Sequence, residues 1–134
     1  MDTKWISFFF FGLAGVVHFF FFILESFLMQ KAGAHRRLKI SEEAHQAIKP
    51  WAFNQGFYNL FFAVGIFIGL YLVTQKMVML AGLLTSFCGL SMLLAGIVLW
   101  FSAPPMRKWA YVQILPPLLG FLFLFSHVAP AFRG

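Results

Sequence analysis

WAFNQGFYN, residues 51–59, opens an apolar run that continues to position 73 and loads its first turns with Asn54, Gln55, Tyr58 and Asn59. Amide and phenol groups cost free energy in hydrocarbon unless protein or water satisfies them. The polar end of this run must therefore face partners rather than lipid, and the rest of the chain has to supply them. Working outward, three more runs of similar length appear, at residues 6–29, 78–101 and 110–129. Together with residues 52–73, each approaches or exceeds the roughly 20 residues that a hydrocarbon core about 30 Å thick asks of a helix.

Composition agrees. Of 134 residues, 61% are hydrophobic and 10% charged, and the mean hydropathy is +0.84. A soluble domain of this size has no way to hide so much apolar surface, so a bilayer is its solvent. Long unbroken runs, rather than short alternating segments, exclude a membrane barrel. The expected fold is all-α: one integral membrane domain, a four-helix bundle with a short cytoplasmic interfacial helix between the first and second spans. Ala32, Gly33 and Ala34 resemble a signal-peptide cleavage site. The preceding apolar stretch exceeds the ~7 to 15 residues of a signal core and contains His18 and Glu25, which argues for a retained span.

The net charge of +6 could suggest nucleic acid, but its distribution says otherwise. Lys31, Arg36, Arg37, Lys39, Lys49, Arg107 and Lys108 fall in the first and third connections, against Lys4, Lys76 and Arg133 on the other side. Positive loops mark the cytoplasmic face, which puts both termini outside in a bacterial cytoplasmic membrane. The surplus reads as topology and anionic-lipid contact, with no role for nucleic acid. Cys88 is the only cysteine, excluding an internal disulfide and a thiolate cluster.

Along the first span, Phe8 to Phe11 and Phe19 to Phe22 read as bilayer-facing bulk. His18 and Glu25, seven residues apart, share one helix face about 10 Å apart. An ionisable group inside a span ordinarily faces a bundle interior or a cavity, which singles out Glu25. In the connection, Ser41 can cap a helix that Glu42 and Glu43 suit, and Pro50 is expected to stop it. His35 and His45 lack metal-ligand spacing and read as solvated; no metal site or cofactor is expected. Gly65 and Gly69 allow a close helix approach, and Gly82, Gly89 and Gly96 suggest a groove facing one neighbour. Pro116 and Pro117 should bend the last helix.

Trp51-Ala52-Phe53-x-Gln55 recurs as Trp109-Ala110-Tyr111-x-Gln113 at the start of the fourth span, compatible with two parallel-related hairpins. A rise of 1.5 Å per residue puts Glu25 and Gln113 each about 6 Å inside their helix ends, and Asn54 to Asn59 about 4 to 12 Å inside theirs. The expected site is a polar pocket in the cytoplasmic half of the bilayer, floored by His18 and lined by Glu25, Asn54, Gln55, Tyr58, Asn59 and Gln113.

The His-x6-Glu pair followed by Ser26-Phe27-Leu28, the NQGFYN stretch and the VQILPP segment at 112–117 resemble the DUF1304 family of small membrane proteins. On that pattern His18, Glu25, Asn54, Gln55, Gly56, Tyr58, Asn59, Gln113 and Pro116 occupy motif positions. Pro117 and the heavy Phe content depart from it. The resemblance implies four spans and no reaction.

Three functions fit these residues. One is binding or transport of a small amphipathic or cationic ligand at Glu25. Another is an intramembrane enzyme acting on a lipid or isoprenoid, with His18, Glu25 and Tyr58 as candidate catalytic groups. The third is a structural or assembly role. The expected partners are membrane lipids, the amphipathic ligand and a second copy of the chain.

Overall fold

Apolar side chains in long runs favour helix, because a helix satisfies its own backbone donors and acceptors without water. The computed structural model describes residues 3–128, so Arg133 and the Ala129 end of the fourth expected span lie outside the described residues. Five α-helices follow in order: α1 Thr3–Ile23, α2 Ala34–Leu38, α3 Glu42–Thr74, α4 Val78–Ser102 and α5 Arg107–Val128. A π-helical turn, Leu24–Leu28, extends α1, and a 3-10 turn, Pro104–Met106, precedes α5. No strand occurs among the described residues. The long helices α1, α3, α4 and α5 are each long and apolar enough to cross a membrane. They pack in a ring, α1 on α3, α3 on α4, α4 on α5 and α5 on α1, which leaves α3 and α5 diagonally opposed.

Half of this bundle is solid. Phe11, Ala14, Ile66, Cys88 and Met92 form its core, with Phe62, Leu70, Leu84, Phe121 and Leu124 packed around them. Helices in hydrocarbon gain no hydrophobic drive from one another, so close packing and small residues must hold them together. Gly65 and Gly69 do this between α3 and α4: a Cβ on Gly65 would overlap Cys88 Sγ, and one on Gly69 would overlap Thr85 Oγ1. The Phe11 ring sits where a Cβ on either Gly89 of α4 or Gly120 of α5 would press on it. Ser7 adds a buried bond, its hydroxyl donating to the Gly120 carbonyl at 2.9 Å.

Several sequence expectations change here. Phe11, Phe21 and Phe22 are buried while Phe9, Phe19 and Phe20 face outward, so each Phe run straddles two faces instead of coating one. Helical periodicity makes that unavoidable for four consecutive residues. Gly82 has open space beside it, whereas Gly89 meets Phe11 and Gly96 meets Ile114 and Gln113 of α5. The three glycines therefore do not line one groove. Ser41 caps α3 as expected, accepting from the Ala44 N–H at 3.1 Å, but Pro50 does not stop it.

The helix runs through Pro50 because neighbours hold the turns around it. Gln30 Nε2 donates to the Lys49 carbonyl at 3.2 Å, and His45 Nε2 bonds the Met29 carbonyl at 2.7 Å. His45 is thus fully buried rather than solvated, and His35 is partly buried beside it. The short connecting helix is α2, one turn that begins after Gly33, whose φ of 78° is the left-handed conformation glycine adopts freely. α5 likewise continues through Pro116 and Pro117, both buried.

Phe11→Ala should lower the free energy of reversible unfolding in mixed micelles by about 3 kcal/mol, since both glycine-lined surfaces lose their filler. Gly82→Ala should stay within about 0.5 kcal/mol of the parent, because its Cβ meets nothing.

Candidate functional site

Beyond the solid half, toward α2 and the Pro104–Met106 turn, the bundle opens around a cavity of about 860 Å³. The π-helical turn builds its first wall. Met29 N–H bonds back to the Leu24 carbonyl at 2.8 Å, a five-residue step that widens the helix where Glu25 sits. Gly56 of α3 allows this turn to lie close: a Cβ there would collide with Ser26 Oγ and stand 3.1 Å from the Ser26 backbone nitrogen. Ser26 Oγ then donates to the Phe53 carbonyl at 3.2 Å, and Gln30 Nε2 donates to the Glu25 carbonyl at 3.0 Å. The glycine in the NQGFYN stretch is there for contact, since its helical backbone does not require one.

Two polar pairs close the interior. Asn59 Nδ2 donates to Glu25 Oε2 at 2.8 Å, joining α3 to the widened turn. His18 Nδ1 donates to the Ala14 carbonyl at 2.9 Å, which leaves Nε2 as acceptor for the Gln113 amide of α5 at 3.2 Å. Both His18 nitrogens are therefore occupied, and the imidazole is buried behind Gln113. Glu25, Asn54, Gln55, Asn59 and Gln113 line the cavity; His18 does not. Tyr58 departs further from expectation: it is 50% exposed, lies outside the cavity and packs edge-on to Phe61. One residue along a helix turns the side chain by about 100°, and Asn59 takes the inward direction instead.

The remaining walls are mostly apolar. Trp51 and Trp109 stand on opposite helices, with Phe21 set edge-on to Trp109 at 6.1 Å between centroids. Val98, Leu99 and Ser102 close the α4 side. Arg37 and Leu38 of α2 reach the rim. Sequence reasoning missed Arg37, because a basic residue in a charged connection looks solvated, and it missed the α4 wall, which carries no polar signal. The Trp-Ala-x-x-Gln echo is the signal that could have found Trp51 and Trp109. All four of Trp51, Gln55, Trp109 and Gln113 face this one cavity.

Chemically, the site offers one carboxylate deep inside, amide donors and acceptors beside it, aromatic walls and a guanidinium at the rim. A single amide hydrogen bond contributes about 1 kcal/mol in a membrane bundle. An ionised acidic side chain costs roughly 2.5 to 3.5 kcal/mol at the centre of a span and less toward its end, where Glu25 lies. Asn59 supplies one hydrogen bond to it; water, a proton or the cationic head of a guest can supply the rest.

The family model for DUF1304, described as a protein of unknown function, matches residues 12–125. That span contains every cavity residue named above. No curated protein and no solved structure matches the chain.

A double-mutant cycle over His18→Ala and Gln113→Ala should return a coupling energy of about 1 kcal/mol in unfolding measurements. His18→Ala with Tyr58→Phe should be additive, because Tyr58 lies outside the cavity and points away from it.

Proposed function

The chain belongs to the DUF1304 family, and from that premise we propose that it binds a small amphipathic ligand with a cationic head, held by Glu25 in the cytoplasmic half of the bilayer. The observation that carries this reading is the Glu25 carboxylate, fixed by Asn59 inside a cavity large enough for a drug-sized molecule and lined mainly by apolar and aromatic side chains. Aromatic faces beside a carboxylate suit a lipophilic cation, whose charge is attracted to both. Arg37 at the rim suits an anionic group further out on the same ligand, or the phosphate of a neighbouring lipid. Basic residues in the first and third connections support a cytoplasmic rim and termini on the other side.

Binding fits better than transport across the membrane. Phe11, Ile66 and Met92 fill the opposite half of the bundle, so a polar guest finds no partner there in this conformation. Acid–base catalysis by His18 and Glu25 also fits less well, since both imidazole nitrogens are spent on Ala14 and Gln113. Glu25 remains the group through which any ligand chemistry would run.

Native mass spectrometry of the chain released from mild detergent tests this directly, together with titration of tetraphenylphosphonium followed by tryptophan fluorescence. A retained amphipathic molecule or saturable cation binding should appear, and Glu25→Ala should weaken it at least about tenfold, or 1.4 kcal/mol. Glu25→Gln should weaken cation binding while keeping the fold, because the amide preserves shape and removes charge. A parent protein that carries nothing and takes up no cation, or a Glu25→Ala variant that binds as tightly, would refute the reading.

A further inference from the structure

A second cluster lies at the rim, where α2 meets the first turns of α3. His35, Glu42 and His45 each offer one ligand atom, and these atoms all lie within 4.8 Å of one another. We propose that His35, Glu42 and His45 form a binding site for a divalent transition-metal ion of the zinc class.

The hydrogen bonds around the cluster favour metal over a plain ion pair. His45 is fully buried, at 0% exposure, and its Nε2 donates to the Met29 carbonyl at 2.7 Å. That bond fixes the tautomer, so Nδ1 carries the lone pair, and this buried Nδ1 has no hydrogen-bond partner. A buried acceptor left alone is unfavourable, and an ion coordinated there would supply the missing partner. An imidazole whose far nitrogen donates to a backbone carbonyl is the usual outer arrangement of a metal-bound histidine.

The other two donors touch each other: His35 Nδ1 lies against Glu42 Oε2, an ion pair when the ring is protonated and a contact that a metal ion would replace by bridging the two. Gln46 Nε2 donates to the other carboxylate oxygen, Glu42 Oε1, at 2.6 Å, and so orients the carboxylate. Glu42 and His45 are three residues apart on α3 and therefore share a face. α2 brings His35 across to them, with the His35 and His45 ring centroids 5.9 Å apart. Two imidazoles and a carboxylate match zinc and its first-row neighbours rather than magnesium or calcium, which prefer all-oxygen shells. Three protein ligands leave a position for water. The sequence argues against metal spacing at His35 and His45, because the bond that orients His45 comes from the Met29 carbonyl, sixteen residues upstream.

Bound metal would tie α2 to α3 and so fix the Arg37 and Leu38 part of the cavity rim. The test uses the full chain in mild detergent, stripped with a chelator and titrated with Zn²⁺ by calorimetry and with Co²⁺ by visible absorption. One ion per chain is expected, with Co²⁺ ligand-field bands that show nitrogen and oxygen ligation. His35→Ala and Glu42→Gln, both at accessible positions, should each weaken binding at least about tenfold, whereas His127→Ala should leave it unchanged. Failure of the folded parent to bind an equivalent of either ion would overturn the proposal. So would equal binding by both site variants, which would mark an adventitious surface site.

Discussion

The bundle depends on one constraint: a polar group inside hydrocarbon has to find its partner within the protein. Asn59 and Glu25 meet that constraint between α3 and the end of the first span. Gln113 and His18 meet it between α5 and α1, and Ser7 meets it again through the Gly120 carbonyl. Each bond is modest alone, about 1 kcal/mol. Their placement matters more than their sum, because together they tie the first span to both of its neighbours, α3 and α5, and a rotated helix would strand its polar group in lipid. Small residues then let the backbones come close enough for these short side chains to reach. Gly56 is the clearest case, since a Cβ there would push away the turn that presents Glu25.

The four spans were legible because bilayer thickness sets a length that apolar runs either reach or do not. The inward-facing polar end was legible for the same reason, and Glu25, Asn54, Gln55, Asn59 and Gln113 do meet at one cavity. What sequence obscured was direction. Asn59 and Tyr58 are adjacent and both polar, yet only one turns inward, and composition does not say which. The Phe runs pose the same problem with no polar marker at all, so Phe11 reads like its lipid-facing neighbours until Gly89 and Gly120 are seen beside it. Pro50 misled for another reason. Its local effect is to end helices, and bonds to Gln30 and Met29, 19 and 16 residues before their partners Lys49 and His45, hold the turns on this one. The widened turn at Leu24–Leu28 left no local trace either, since it answers to the approach of α3.

The two halves of the bundle carry different burdens. In one, ring and glycine contacts fill the space. In the other, the same four helices diverge enough to leave about 860 Å³ between them. A cavity of that size in a small bundle forfeits packing that a solid core would have kept. The loss is offset if lipid tails, water or a ligand occupy it. Glu25 sets which of these fits best, because acyl chains alone would leave its carboxylate without the partners that Asn59 only partly supplies.

The repeated Trp-Ala-x-x-Gln segment bears on how such a cavity is made. Its two copies lie on α3 and α5, the helices that stand diagonally opposed in the ring. Each copy therefore presents a tryptophan near the rim and a glutamine one turn deeper, and the two approach the same space from opposite sides. The copies are not equivalent in use. Gln113 is spent on His18, whereas Gln55 makes no side-chain hydrogen bond among the described residues, and the acidic partner Glu25 is supplied by the first span alone among the lining residues. On the proposed reading, these walls with one carboxylate would orient a guest with its charged head toward α3 and Glu25 and its apolar body along Trp109 and Phe21. Asymmetry of charge between similar walls would then turn a gap between four helices into a site that selects a ligand.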